Sequence, residues 1–187
     1  MDAFSYLSVL IAIILGLAIT QILQGFRGLL HAREHVVIYW PSLAWAALVL
    51  VIAVQSWWAM FGLREHQGWT FLQFAVVLLE NTCIYMVAAL VLPDFNEDRH
   101  ADLRRTYFKQ APWFYGLFIV ALLFSMLKDV VVFGTLPYGA NLGFHLFFIG
   151  GSLALALIPN ERFHKVFTVV SVLLFLVYVV TLFDNLR

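Results

Sequence analysis

The chain has 187 residues, of which 63% are hydrophobic, 17% aromatic and only 12% charged, against about 25% charged in an ordinary soluble domain. That balance excludes an ordinary water-soluble fold. Eleven Lys and Arg offset eleven Asp and Glu, and no basic run interleaved with aromatics offers a footprint for nucleic acid. The single cysteine, Cys83, rules out a disulfide framework within these residues and any multi-thiolate metal site.

Six apolar runs follow one another, over residues 4–26, 38–63, 69–92, 112–136, 138–158 and 166–183. Each is long enough to cross roughly 30 Å of hydrocarbon at about 1.5 Å per residue. The runs are continuous rather than alternating, and about twice as long as barrel strands, which excludes an outer-membrane barrel. The sequence therefore predicts an all-α integral membrane protein, a six-transmembrane-helix bundle forming one domain over 1–187 with the lipid bilayer as its solvent. The first run has no basic residue ahead of it and no small-residue cleavage pattern, so it is expected to stay as helix one rather than act as a cleaved secretory signal.

Helix one carries Ser8, Ala12, Gly16, Thr20 and Gln24 at intervals of four. Such a small and polar stripe admits another backbone closely and is read as a helix-packing seam within the chain, with a homo-oligomer contact as the alternative. Helix two brings Gln55 and Ser56, and helix three brings Glu80 near its centre. The connection 94–110 follows Pro93, and Asp94 with Glu97 has the spacing of a capping box. With Leu103 and Tyr107 on one face, it is read as a short interfacial cytoplasmic helix between helices three and four. Ser125, Lys128 and Asp129 then share a face of helix four, and Asn141 and His145 a face of helix five. Gly150 and Gly151 are read as a close contact of helix five with a neighbour.

Orientation follows from the loop cations. The connections after helices one, three and five hold Arg27, Arg33, Arg99, Arg104, Arg105, Lys109, Arg162 and Lys165, whereas the other side has only Arg64 and Arg187. Basic short loops stay cytoplasmic, so both termini are expected outside, in a bacterial inner or plasma membrane. A shift of 108 residues superposes 4–26 on 112–134, bringing Thr20-Gln21 onto Lys128-Asp129. The other helices match poorly, so six helices without symmetry are the favoured reading and a 3+3 inverted repeat the alternative.

An ionisable side chain at mid-membrane costs about 2.5–3.5 kcal/mol on insertion scales, so it faces protein or trapped water and finds a partner. Glu80, Lys128, Asp129 and His145, with Gln55 at similar depth, are expected to share a polar pocket in the outer half of the bundle. The tight turn between helices four and five sets Asp129 and His145 at matching depth, which predicts a hydrogen bond between them. Lys128 is the intramembrane cation able to neutralise Glu80, the alternatives being that Lys128 snorkels outward on its aliphatic stem or that Glu80 is protonated. The first functional expectation is a transporter or channel moving protons, cations or a small solute. The alternative is a non-transporting sensor or assembly module whose buried polar groups fix helix packing.

A third class, a membrane enzyme with a cytoplasmic metal centre, rests on His31 and His35 at i, i+4 with His100 and His164 in the other basic connections. These are weak metal candidates, since interfacial histidines are commonly just solvated. No cofactor is implied: His145 is the only clearly intramembrane imidazole, too few for a bis-histidine haem. No catalytic motif of the His-Glu-x-x-His, Gly-x-Ser-x-Gly or phosphate-loop kind occurs.

Overall fold

The computed structural model describes residues 3–95 and 101–182. Six long helices account for most of it: α1 (Ala3–His31), α2 (Trp40–Ala59), α3 (Phe71–Val91), α4 (Leu103–Lys128), α5 (Gly139–Leu157) and α6 (Glu161–Leu182). All six are long and apolar enough to cross a membrane. A 3-10 turn, Met60–Leu63, prolongs α2, and a π-helical turn, Asp129–Phe133, prolongs α4 until Gly134 ends it at a φ of 72°. Glycine takes that left-handed conformation without steric cost.

Helix starts follow from local chemistry. Pro41 sits in the first turn of α2, where its missing N–H leaves no hydrogen bond unmade. Thr70 and Gln73 form a reciprocal capping box at the start of α3: Gln73 N–H donates to Thr70 Oγ1 at 3.3 Å and Thr70 N–H to Gln73 Oε1 at 2.9 Å. The Asp102 carboxylate caps α4 by accepting from Arg105 N–H at 3.0 Å.

That last cap corrects one expectation. Residues 103–110 do not form a separate interfacial helix; they are the first turns of α4, which runs on through Pro112 into the apolar segment. Leu103 and Tyr107 are buried in the bundle rather than laid along a membrane surface, and a proline within a span is tolerated where neighbouring helices cover the disturbed turn. Glu97, half of the expected Asp94–Glu97 capping box, lies outside the described residues. Upstream of α4, β2 (Ala101–Asp102) pairs in parallel with β1 (Val36–Val37), tying the α1–α2 connection to the start of α4.

Helix α3 packs against α1, α2 and α4; α4 packs against α5, α5 against α6 and α6 against α2. Helices α2 to α6 therefore close a ring, with α1 outside it against α2 and α3. This arrangement overturns the reading of the α1 stripe as an internal seam. Helix α1 buries Leu7, Ile11, Leu15, Ala18 and Ile22, whereas Ala12, Gly16, Thr20 and Gln24 face outward and Ser8 is only half-buried. The larger side chains supply more apolar contact against the ring. Close approach occurs further along, at Gly25 and Gly28, where a Cβ would come within 2.9 Å of the Leu92 and Phe95 side chains. The glycine pair in α5 divides: a Cβ at Gly151 would overlap the Phe167 ring, whereas Gly150 faces open space.

Candidate functional site

The interior of the ring has two unlike halves. Towards the α1–α2, α3–α4 and α5–α6 connections it is filled by aromatic rings. Trp45 of α2 packs edge-on against Phe114, Tyr115 and Phe118 of α4, with centroids 5.3–5.9 Å apart, a favourable geometry for aromatic quadrupoles. A buried hydrogen-bond chain runs through this packing. His164 Nε2–H donates to the Ile158 carbonyl at 3.0 Å, so Nδ1 is the bare nitrogen that accepts from the Tyr107 hydroxyl at 2.9 Å. The Tyr107 and Tyr115 hydroxyls bond to each other. Trp45 Nε1–H donates to Thr168 Oγ1 at 3.1 Å, and Thr168 donates to the His164 carbonyl at 2.7 Å. Buried polar groups are tolerable when paired in this way.

Nearer the rim of this filled half, Glu161 accepts from Arg104 at 2.8 Å and from Lys165 at 2.8 Å. Tyr39 packs against the Tyr107 ring at 5.2 Å and is buried, with its hydroxyl unpartnered. Burial, reinforced by the nearby Glu161 charge, pushes its phenol up to about 12, because a buried anion loses its hydration.

Towards the α2–α3 and α4–α5 turns the same ring is hollow. A cavity of about 240 Å³ opens there, lined by all five ring helices and by no residue of α1. Its polar lining includes Gln55 and Ser56 of α2, Glu80 and Asn81 of α3, Ser125, Lys128 and Asp129 of α4, Asn141 and His145 of α5, and Tyr178 of α6. Each arrives by helical phase. The i, i+3 and i, i+4 spacings of Ser125, Lys128 and Asp129 put them on one strip of α4, and Asn141 and His145 do the same for α5. Phe118 and Phe148 form the floor, with ring centroids 6.3 Å apart, and Phe118 rests on Trp45 of the filled half.

Lys128 Nζ donates to Glu80 Oε1 at 2.9 Å, joining α4 to α3, and both side chains are largely buried. Asp129 lies within electrostatic reach of Lys128 and His145. The expected Asp129–His145 hydrogen bond is not formed: His145 donates through Nδ1 to the Asn141 carbonyl at 2.8 Å, the acceptor one turn back in its own helix. The π turn that starts at Asp129 is pinned from α3, where Gln73 donates its amide to the Val131 carbonyl at 3.1 Å. Such turns interrupt the α ladder and recur at functional sites.

Glu80, Lys128, Asp129, His145 and Gln55 are thus brought around one cavity, while the α1 stripe is not. Of the metal candidates, His31 donates to the Arg27 carbonyl at 2.9 Å on the surface and His35 lies in the short turn beyond α1. His164 is not in a loop but in the first turn of α6, with both ring nitrogens engaged. His100 lies outside the described residues. Among the described residues no three His, Cys, Asp or Glu converge as a metal site.

Sequence reading overlooked Asn81, next to Glu80 and only 3% exposed, and Tyr178. A polar residue adjoining a mid-span carboxylate was the available signal for the first. The aromatic wall of Phe118, Phe144, Phe148 and Phe175 gave none, because the chain has 18 phenylalanines and no spacing sets these four apart. The fold and the cavity define a polytopic helical membrane protein. Comparison with known protein families, curated proteins and solved structures finds no match to this chain.

Proposed function

We propose that this chain is a small membrane transporter in which a proton, a cation or a small solute enters the hollow half of the ring and reaches Glu80. One observation carries the reading: a polar cavity extends to a mid-helix carboxylate and ends on an aromatic floor. Charged groups in a shielded cavity exchange protons and counter-ions during conformational change, and a pocket blocked at one end is what alternating access requires of one of its states. The excess of loop cations on the opposite side supports reading the cavity mouth and both termini as outward, with the filled aromatic half inward.

The tight Glu80–Lys128 pair favours a second reading, a non-transporting module in which buried ions fix helix packing. Reconstituted vesicles carrying a lumenal pH dye separate the two. Glu80→Gln keeps shape and hydrogen bonding but not the charge. On the transport reading this variant, with Asp129 left to face Lys128, folds with lowered stability and loses proton-coupled or cation-coupled flux. Unchanged flux with unchanged pH dependence removes Glu80 from any pathway and leaves the packing role.

A further inference from the structure

The cavity is rich in acceptors. Asn81 donates its amide N–H to the Val77 carbonyl at 2.8 Å, which leaves its Oδ1 buried and without a partner. Asn141 Oδ1 is likewise buried and unpartnered. The Nδ1–H of His145 is committed to a carbonyl, so in the neutral ring Nε2 is another acceptor. Lys128 binds Glu80, and Asp129 forms no ion pair among the described residues. Two carboxylates, Glu80 and Asp129, line the cavity with one ammonium, which is bonded to Glu80. The two Asn Oδ1 atoms have no accessible surface and lie behind the lining, so the acceptors that a donor in the cavity meets are Asp129 and His145 Nε2.

The apolar lining sets the shape of that donor. Phe118, Phe144, Phe148 and Phe175 flank the polar groups, and Phe144 packs edge-on against Tyr178 at 4.9 Å. Aromatic faces attract cations and stack on rings. A volume of about 240 Å³ falls below the roughly 300–1,000 Å³ of sites for drug-sized ligands.

We propose that the cavity binds a small organic ammonium with a single apolar ring or a short alkyl body, its N–H groups meeting the Asp129 carboxylate and Nε2 of His145 and its body lying among the four phenylalanines. As a binding site this stands apart from transport; as the identity of a substrate it rests on the transport reading.

The test uses the full chain in lipid nanodiscs and isothermal titration with 2-phenylethylammonium, 2-phenylethanol and phenylacetate, which keep the ring and vary the charge. Saturable binding of the ammonium is expected, at least about tenfold tighter than the alcohol or the carboxylate, because a charge-assisted hydrogen bond contributes about 1.5–3 kcal/mol. Asp129→Asn should remove most of that preference. Equal binding of ammonium and alcohol, absence of ammonium binding, or preference for phenylacetate would each overturn the assignment, and none of these outcomes depends on a variant folding. Flux of the same ammonium into vesicles is measured separately. Ammonium binding without flux of the ammonium, of protons or of inorganic cations would refute the transport reading and leave the ligand class standing, whereas proton flux without ammonium binding would do the reverse.

Discussion

Lys128 and Glu80 stand 48 residues apart in sequence and 2.9 Å apart in space, and their pairing is the contact most nearly dictated by the amino acids themselves. Two opposite charges at similar depth in a medium that solvates neither have few other partners. Removing one member of a buried pair costs about 3–5 kcal/mol, because the other charge is left uncompensated. Lys128→Met alone should therefore lower stability strongly, and Glu80→Gln added to it should recover most of the loss in a double-mutant cycle of thermal unfolding in detergent. The buried tyrosines make a contrasting case. Tyr107 bonds His164 and Tyr115, so Tyr107→Phe should cost about 1–2 kcal/mol. Tyr39 bonds nothing through its hydroxyl, so Tyr39→Phe should leave stability equal or slightly higher. Its phenol is held up to about 12 in the folded chain, against about 10 unfolded. The protonated form is therefore the one the fold favours, and stability falls as pH rises through that interval; Tyr39→Phe should soften the fall in an alkaline unfolding series. None of this tyrosine chemistry was legible in the sequence, since Tyr107 and His164 are 57 residues apart and each has an amphipathic body common at membrane boundaries.

At the scale of the elements, apolar run length disclosed all six helices, because the bilayer sets a minimum length for every span. It misplaced the start of α4, where polar residues 103–110 continue a span beyond its apolar stretch. Helix α1 shows why a stripe is ambiguous: spacing of four places Ser8, Ala12, Gly16, Thr20 and Gln24 along one side, but only the neighbours decide which side is inward. Substitution at glycines of α1 and α5 separates those in open space from those in close contact. Gly16→Ala should be neutral or slightly stabilising in the monomer, as open space surrounds Gly16 and alanine is the better helix former; loss of a cross-linked dimer in the same variant would place a second copy on this face. Gly151→Ala should lower stability by about 1–3 kcal/mol, because the Phe167 ring must move, while Gly150→Ala serves as the open control. The Thr70 cap, whose Thr-x-x-Gln pattern was present to be read, should contribute about 1 kcal/mol, lost in Thr70→Ala.

At the scale of the whole molecule, depth and helical phase located most of the polar cavity lining, whereas ring closure by α2 and α6 depends on tertiary packing that no local pattern encodes. One ring of helices is sealed by aromatics in one half and open in the other, with the polar cluster lining the opening above the Phe118 and Phe148 floor. Cysteine modification in a Cys83→Ser background tests this most directly. Ser125 lines the cavity and Ala111 lies buried beside the aromatic packing, so Ser125→Cys and Ala111→Cys are compared with a membrane-impermeant thiosulfonate applied to intact cells. The expected result is rapid modification at 125 and none at 111. Failure of 125 to react from outside, while 111 reacts in inverted vesicles, would contradict both the position of the cavity and the orientation of the chain.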